Sequence, residues 1–216
     1  MGLELVTTLG FGLLLGLRHS MDPDHFIAVS TIASRTGNVL KATASGVYWG
    51  MGHTATLLLV GIPLLLMKTS MPDFLQILME LIVGCMLVIL GWTSFQAFRQ
   101  GTVRKDSTSG GKSGQNQVRS RSFLVGMVHG MAGSGALAVM VMASLRSFTE
   151  ALLYLLLFGV GTIAGMSLFA VLIGVPFTYA GKRSVMLERG MGMTAGAVSI
   201  LFGIYYLQDI LFNEVF

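Results

Sequence analysis

Charge is scarce in this chain. Asp, Glu, Lys and Arg make up 11% of its 216 residues, against about 25% in an ordinary soluble domain. A water-exposed surface cannot be covered from that supply, so a soluble globular domain is excluded and an integral membrane protein is indicated. Cysteine is scarcer still. With Cys85 alone, neither an intrachain disulfide nor a two-thiol redox relay can form, which removes a membrane thiol-disulfide carrier. No Lys or Arg precedes the first apolar run: MGLELV carries only Glu4. That is the wrong charge for the n-region of a cleavable signal, and the first apolar segment reads as part of the mature protein. There is also no His-Glu-x-x-His run, the motif of a zinc protease.

What is abundant fits a membrane interior. Gly (28) and Met (15) suit close helix contacts and adaptable packing in lipid. Six apolar segments can be marked, roughly 5–34, 42–67, 74–98, 122–145, 149–180 and 187–212. Each is long enough for the ~20 helical residues that a crossing needs. Between the third and fourth, residues 99–121 are polar, basic and Gly/Ser-rich, the composition of a flexible linker.

The net charge of +4 is topological and not a nucleic-acid signal. Arg35, Lys41, Arg99, Arg104, Lys105, Lys112, Arg119, Arg121, Lys182, Arg183 and Arg189 fall in the three connections that share one side. Lys68 and Arg146 fall on the other. The positive-inside rule makes the richer side cytoplasmic and both termini extracytoplasmic, in a multi-pass protein of the cytoplasmic (inner) membrane.

The two halves resemble each other. At an offset of 110, Leu14/Leu124, Gly16/Gly126, His19/His129, Met21/Met131, Ala28/Ala138, Val29/Val139, Ala33/Ala143 and Ser34/Ser144 match, and Gly61-Ile-Pro63 echoes Gly174-Val-Pro176. Three helices per half is an odd number, so the second copy must insert upside down. The expected fold is therefore all-α, six transmembrane helices in two inverted three-helix repeats: 1–98, the linker 99–121, and 122–216. Such repeats are a transporter architecture, with the substrate site near the midplane where the copies meet.

Charge reappears in one place, GLRHSMDPDHFIAV at residues 16–29. Only residues 5–17 precede Arg18 without a charge, and thirteen residues at ~1.5 Å each rise about 20 Å, short of the ~30 Å hydrocarbon core. The first helix spans only by taking Arg18, His19, Asp22, Asp24 and His25 into the membrane. Ionisable groups at that depth mark, by default, a substrate or ion pathway. At about 100° per residue, His19, Asp22 and His25 share one face, while Asp24 points elsewhere in an unbroken helix. Pro23 lacks an N–H, which costs the His19 carbonyl its usual partner and disfavours helical geometry at Asp22. A break there turns Asp24 inward and exposes free carbonyls. Two imidazoles with one or two carboxylates form a divalent-metal constellation, suited to Ni²⁺, Co²⁺, Zn²⁺ or Cu²⁺ more than to Mg²⁺ or Ca²⁺.

The second segment adds His53, near its middle, flanked by Gly50 and Gly52, with Thr54 as a candidate supporting hydroxyl. In the second half, His129 is kept while Ala132, Ser134 and Gly135 stand at the places of Asp22, Asp24 and His25, and Gly133 at that of Pro23. His129 and Ser134 are thus candidates for the pathway opposite the charged copy. Met51, Met127, Met131 and Met166 read as packing, and Glu80 and Glu188 as interfacial or helix-start acids. A serine hydrolase built on Gly133-Ser134-Gly135 and His129 is disfavoured, because five helical residues set Ser134 and His129 about 140° apart. No enzyme is expected.

The run RHSMDPDH, 18–25, resembles the signature of the nickel/cobalt transporter family, Arg-His-Ala-x-Asp-Ala-Asp-His in a membrane helix. Gly52-His53-Thr54 is similar to that family's Gly-His-Ser/Thr element. Pro23 and Ser20 depart from its alanines, and the chain has six apolar segments where well-characterised members have eight helices. The second half, VHGMAGSGAL, is similar to a shorter urease-accessory-type or nickel/cobalt-efflux-like branch. The resemblance implies a secondary permease for Ni²⁺ or Co²⁺, other divalent transition metals being open, with His19, Asp24, His25 and His53 as carried-over site residues; Asp22 joins the candidate metal ligands from the helix face it shares with His19 and His25.

No prosthetic group is expected. The expected partners are the metal ion and the lipid bilayer, with a second copy of the chain or a metallochaperone left open. The alternatives are export instead of uptake, and a membrane subunit or scaffold for metalloenzyme assembly.

Overall fold

The computed structural model describes residues 2–67, 69, 71–102, 112–130 and 147–215. Among them every regular element is helical: α1 (Gly2–His19), α2 (Pro23–Ser34), α3 (Val39–Met67), α4 (Asp73–Gln100), α5 (Lys112–His129), α6 (Phe148–Arg183) and α7 (Val185–Ile210), followed by a π-helical turn, Leu211–Val215. Among the described residues, four stretches are long and apolar enough to cross a membrane: Val39–Met67, Asp73–Gln100, Phe148–Arg183 and Val185–Asn213. Their outward faces carry side chains such as Leu59, Ile89, Trp92, Leu172 and Leu201, each more than half exposed. An apolar girdle of that kind is stable against lipid and not against water.

The first apolar segment is divided, as the proline predicts, into 18-residue α1 and 12-residue α2. Helix also enters the basic connection from both ends, α4 running to Gln100 and α5 beginning at Lys112. Extending an existing helix costs far less than nucleating one, and the Arg119 guanidinium lies over the Tyr48 ring, 5.4 Å from its centroid. Of the fourth segment, 122–145, only residues up to 130 are described.

Local signals set the ends. Ser147 caps α6 by accepting from the Glu150 N–H at 3.2 Å, a Ser-x-x-Glu start. Ser184 ends α6 in extended geometry and caps α7 by accepting from the Leu187 N–H at 3.4 Å. Gly101 ends α4 at φ 70°, the left-handed conformation that glycine adopts freely. Pro63 and Pro176 lie inside α3 and α6.

Packing is reciprocal between the halves. α1 lies on α6 and α5 on α3, while α3 crosses α6 and α4 crosses α7. Gly16 of α1 leaves room for the Phe158 carbonyl of α6 and nothing larger, and Gly126 of α5 does the same for the Trp49 carbonyl of α3. In the α4–α7 pair, a Cβ on Gly91 would stand 2.6 Å from the Gly196 oxygen, and one on Gly196 2.8 Å from the Gly91 oxygen. Backbones that close gain dispersion contacts, the main force holding helices together where lipid is as apolar as the side chains. Short α2 sits among α3, α4, α6 and α7, with Ala28 and Val29 in a core that also holds Trp49, Leu87 and Met166. Its first turn is thereby held inside the bundle.

Candidate metal centre

The site begins where α1 stops. The Ser20 N–H still reaches the Gly16 oxygen at 3.2 Å, but Met21 and Asp22 donate one residue short, to Arg18 (2.9 Å) and His19 (3.1 Å). These are the tight i→i+3 bonds of a closing helix end. The His19 carbonyl therefore keeps a partner, contrary to the free acceptor expected from Pro23. Asp22 is extended (φ −59°, ψ 140°), as the residue before proline prefers, and Pro23 opens α2 at a position where no N–H is required. The change of direction swings Asp24 into the bundle.

Four imidazoles converge there. His25 is the hub, its ring centroid 4.4 Å from that of His19, 4.2 Å from His129 and 5.1 Å from His53. All four rings are buried. The Nε2 atoms of His19 and His53 are 3.0 Å apart, and His19 Nδ1 lies 3.1 Å from Asp22 Oδ2. Since a carboxylate only accepts, the Asp22 contact places the His19 proton on Nδ1, and His19 Nε2 then accepts a hydrogen bond from the His53 Nε2–H.

Asp24 takes two donors, His25 Nδ1 on Oδ1 at 3.1 Å and His129 Nε2 on Oδ2 at 2.8 Å; those two nitrogens stand 3.3 Å apart. His25 Nε2, His53 Nδ1 and His129 Nδ1 are buried with no hydrogen-bond partner among the described residues. Each such atom costs about 1–3 kcal/mol of desolvation.

Among the described residues, two donor sets could hold a metal, His19/His25/His53 and Asp24/His25/His129, each with its ligand atoms within 4.8 Å of one another. Donors bound at ~2.1 Å stand about 2.9–3.4 Å apart in octahedral or tetrahedral geometry. The contacts of 3.0, 3.1, 2.8 and 3.3 Å lie in or close to that range.

Sequence-predicted residues take different places. Asp22 lies outside both sets, its side chain 32% exposed and its Oδ2 against His19 Nδ1. A carboxylate on the far nitrogen of an imidazole fixes its tautomer and orientation, leaving Nε2 to ligate. Arg18 is exposed at the end of α1. Thr54 donates to the Gly50 oxygen at 2.8 Å and reaches the Gly159 oxygen at 3.4 Å, so it serves the α3–α6 seam and not the histidines. Ser134 lies outside the described residues. Met166 is core, Met51 is exposed, and Glu80 and Glu188 are buried.

Two neighbours carry no mark in the motif itself. Trp49 stacks on His25 at 6.5 Å between centroids and meets His129 edge-on at 5.6 Å. Phe158 lies 5.3 Å from His19. For Trp49 a signal was available, since it precedes His53 by four residues and so shares its helix face; Phe158 comes from the other half and had none.

The chain is 34% identical over 215 residues to the urease accessory protein UreH of Bacillus sp. (strain TB-90), an alignment covering 96% of this chain and 93% of that one. It is also 25% identical to two chloroplast proteins of Arabidopsis thaliana. These are FOR GROWTH AND FERTILITY 2, over 180 residues (79% of this chain, 48% of that one), and FOR GROWTH AND FERTILITY 1, over 183 residues (78% and 50%). This chain spans about half the length of either plant protein. No family model matches it, and no solved structure does. With the 34% identity carried across nearly the whole of both chains, the protein belongs to the family of the urease accessory protein UreH.

Proposed function

We propose that the protein is a secondary transporter of a divalent transition-metal cation, Ni²⁺ or Co²⁺ foremost, in the cytoplasmic membrane. The observation that carries this reading is the cluster of His19, His25, His53, His129 and Asp24, held among apolar helices with three ring nitrogens unpartnered among the described residues. A structural polar cluster would satisfy its own hydrogen bonds; this one keeps donor atoms for something else. Imidazole with a single carboxylate favours borderline first-row dications over Mg²⁺ and Ca²⁺. The family's name ties it to urease maturation and so to nickel, and the RHSMDPDH run resembles the nickel/cobalt transporter signature.

In this reading the chain crosses the membrane six times as two inverted three-helix repeats, with residues 99–121 cytoplasmic. The reciprocal contacts support it: exchanging the halves carries Gly16–Phe158 onto Gly126–Trp49 and Gly91–Gly196 onto itself. Rocking of one copy against the other would expose the cation to each side in turn. The exposed Arg18 and half-buried Asp22 mark the side from which water reaches the cluster, since a charged group at bilayer depth requires water or a partner.

The test is flux of Ni²⁺ and Co²⁺ into liposomes holding the full chain, with Asp24→Asn beside it. The variant keeps the shape but loses the charge that draws two histidines together, and its flux is expected to fall about 10- to 100-fold. Wild-type protein that moves neither ion would overturn the reading in favour of an accessory scaffold. Acid should act in the same direction. Protons compete with metal for imidazole, so Co²⁺ affinity measured at about pH 5.5 is expected at least about tenfold below that at about pH 7.5. A flat profile would mean that the histidines do not ligate.

A further inference from the structure

We propose that the centre is two overlapping coordination stations, occupied in turn by one cation, with His25 the ligand common to both. The inference rests on the transporter reading and goes beyond it by assigning a second site and a ligand, His129, from the other half of the chain. The first station is His19, His25 and His53; the second is Asp24, His25 and His129. Their chemistry differs. The first offers neutral nitrogen alone and the second adds a carboxylate.

Their origin differs too. Every ligand of the first station comes from α1, α2 or α3, whereas the second closes only when α5 brings His129 Nε2 to 2.8 Å from Asp24 Oδ2. A shift of α5 relative to α2 takes the second station apart and leaves the ligands of the first on their own helices. His25 can serve both because an imidazole has two ring nitrogens on different edges. Its Nδ1 faces Asp24 and His129, while its Nε2 is buried and unpartnered among the described residues. His53 Nδ1 and His129 Nδ1, one at each station, are buried in the same condition.

A single ion moves between the stations. Two dications would bring four positive charges against the two carboxylates nearby, Asp22 and Asp24, while competing for one shared imidazole. An ion that binds nitrogen poorly is rejected at the first station, which contains no oxygen donor. This gives selection against Mg²⁺ and Ca²⁺ that a lone carboxylate-bearing site would not supply.

The test is titration of the full chain in lipid nanodiscs with Co²⁺, read by the ion's ligand-field absorption, alongside Co²⁺ flux in liposomes. Wild type is expected to bind one Co²⁺ per chain. His53→Ala and His129→Ala are each expected to keep one Co²⁺, within about 100-fold of the wild-type affinity. Their spectra should differ from each other, because different donors remain, and their flux should fall to a small fraction of wild type. The double variant is expected to bind none.

A His129→Ala protein with wild-type spectrum and flux would remove the second station while leaving the transporter reading intact. So would loss of all binding in either single variant, which would mean one indivisible site. His129→Asn keeps a donor for Asp24 but has no imidazole, and it separates the same outcomes if the alanine variant does not fold. Wild-type protein that binds no Co²⁺ would overturn the transporter reading, and this inference with it.

Discussion

His25→Ala is expected to abolish saturable Ni²⁺ and Co²⁺ binding and to lower reconstituted flux at least about 100-fold, more than any other single histidine replacement. His25 belongs to both donor sets, and its ring lies against those of His19, His53 and His129. Removing it leaves at most two ligands in either set and takes one of the two donors from Asp24. Asp22→Asn should be milder, about tenfold, because Asp22 orients His19 without joining either set. Isothermal titration with Co²⁺ measures both effects. Equal losses in the two variants would contradict the central place of His25.

Gly16→Leu and Gly126→Leu are each expected to destabilise the bundle by about 3 kcal/mol or more, the upper end of overpacking costs. A side chain at either position runs into a backbone carbonyl, that of Phe158 or of Trp49. A carbonyl in a buried helix cannot swing aside as a flexible side-chain end can. Gly10→Ala is the control. Nothing lies within 4 Å of a Cβ there, so that change should be neutral or slightly stabilising. Thermal unfolding in detergent reads all three. If the halves are related as proposed, the two leucine variants should lose similar stability. A neutral Gly126→Leu would mean that α5 and α3 are not in close contact.

Much of the fold was legible in the residues. Scarce charge and long apolar runs led to long apolar helices, because a backbone without water must satisfy its own hydrogen bonds. Pro23 located the break between α1 and α2, since its missing N–H and its effect on Asp22 act locally whatever surrounds them. The expectation of free carbonyls at that break was too simple. The chain tightens, and Asp22 donates to the His19 oxygen at 3.1 Å.

The candidate site was legible in part. His19, Asp24, His25 and His53 stood out because an ionisable side chain is costly in an apolar segment and so demands a reason. For Thr54 the sequence did not say where the hydroxyl points; it turns to α3's own Gly50 carbonyl and to the seam with α6. Helical spacing says which face a residue shares, but not which neighbour that face meets.

From the amino acids alone come the apolar helices, the break at Pro23 and the identity of the costly side chains, because these follow from composition, hydropathy and short-range backbone sterics. Only the tertiary structure decided that Asp24 faces His129 across 105 residues of chain, that Asp22 lies against His19 Nδ1, and that Trp49 stacks on His25. Those are contacts between helices. They depend on how glycine-lined backbones close on one another in three dimensions, which no stretch of the sequence encodes by itself.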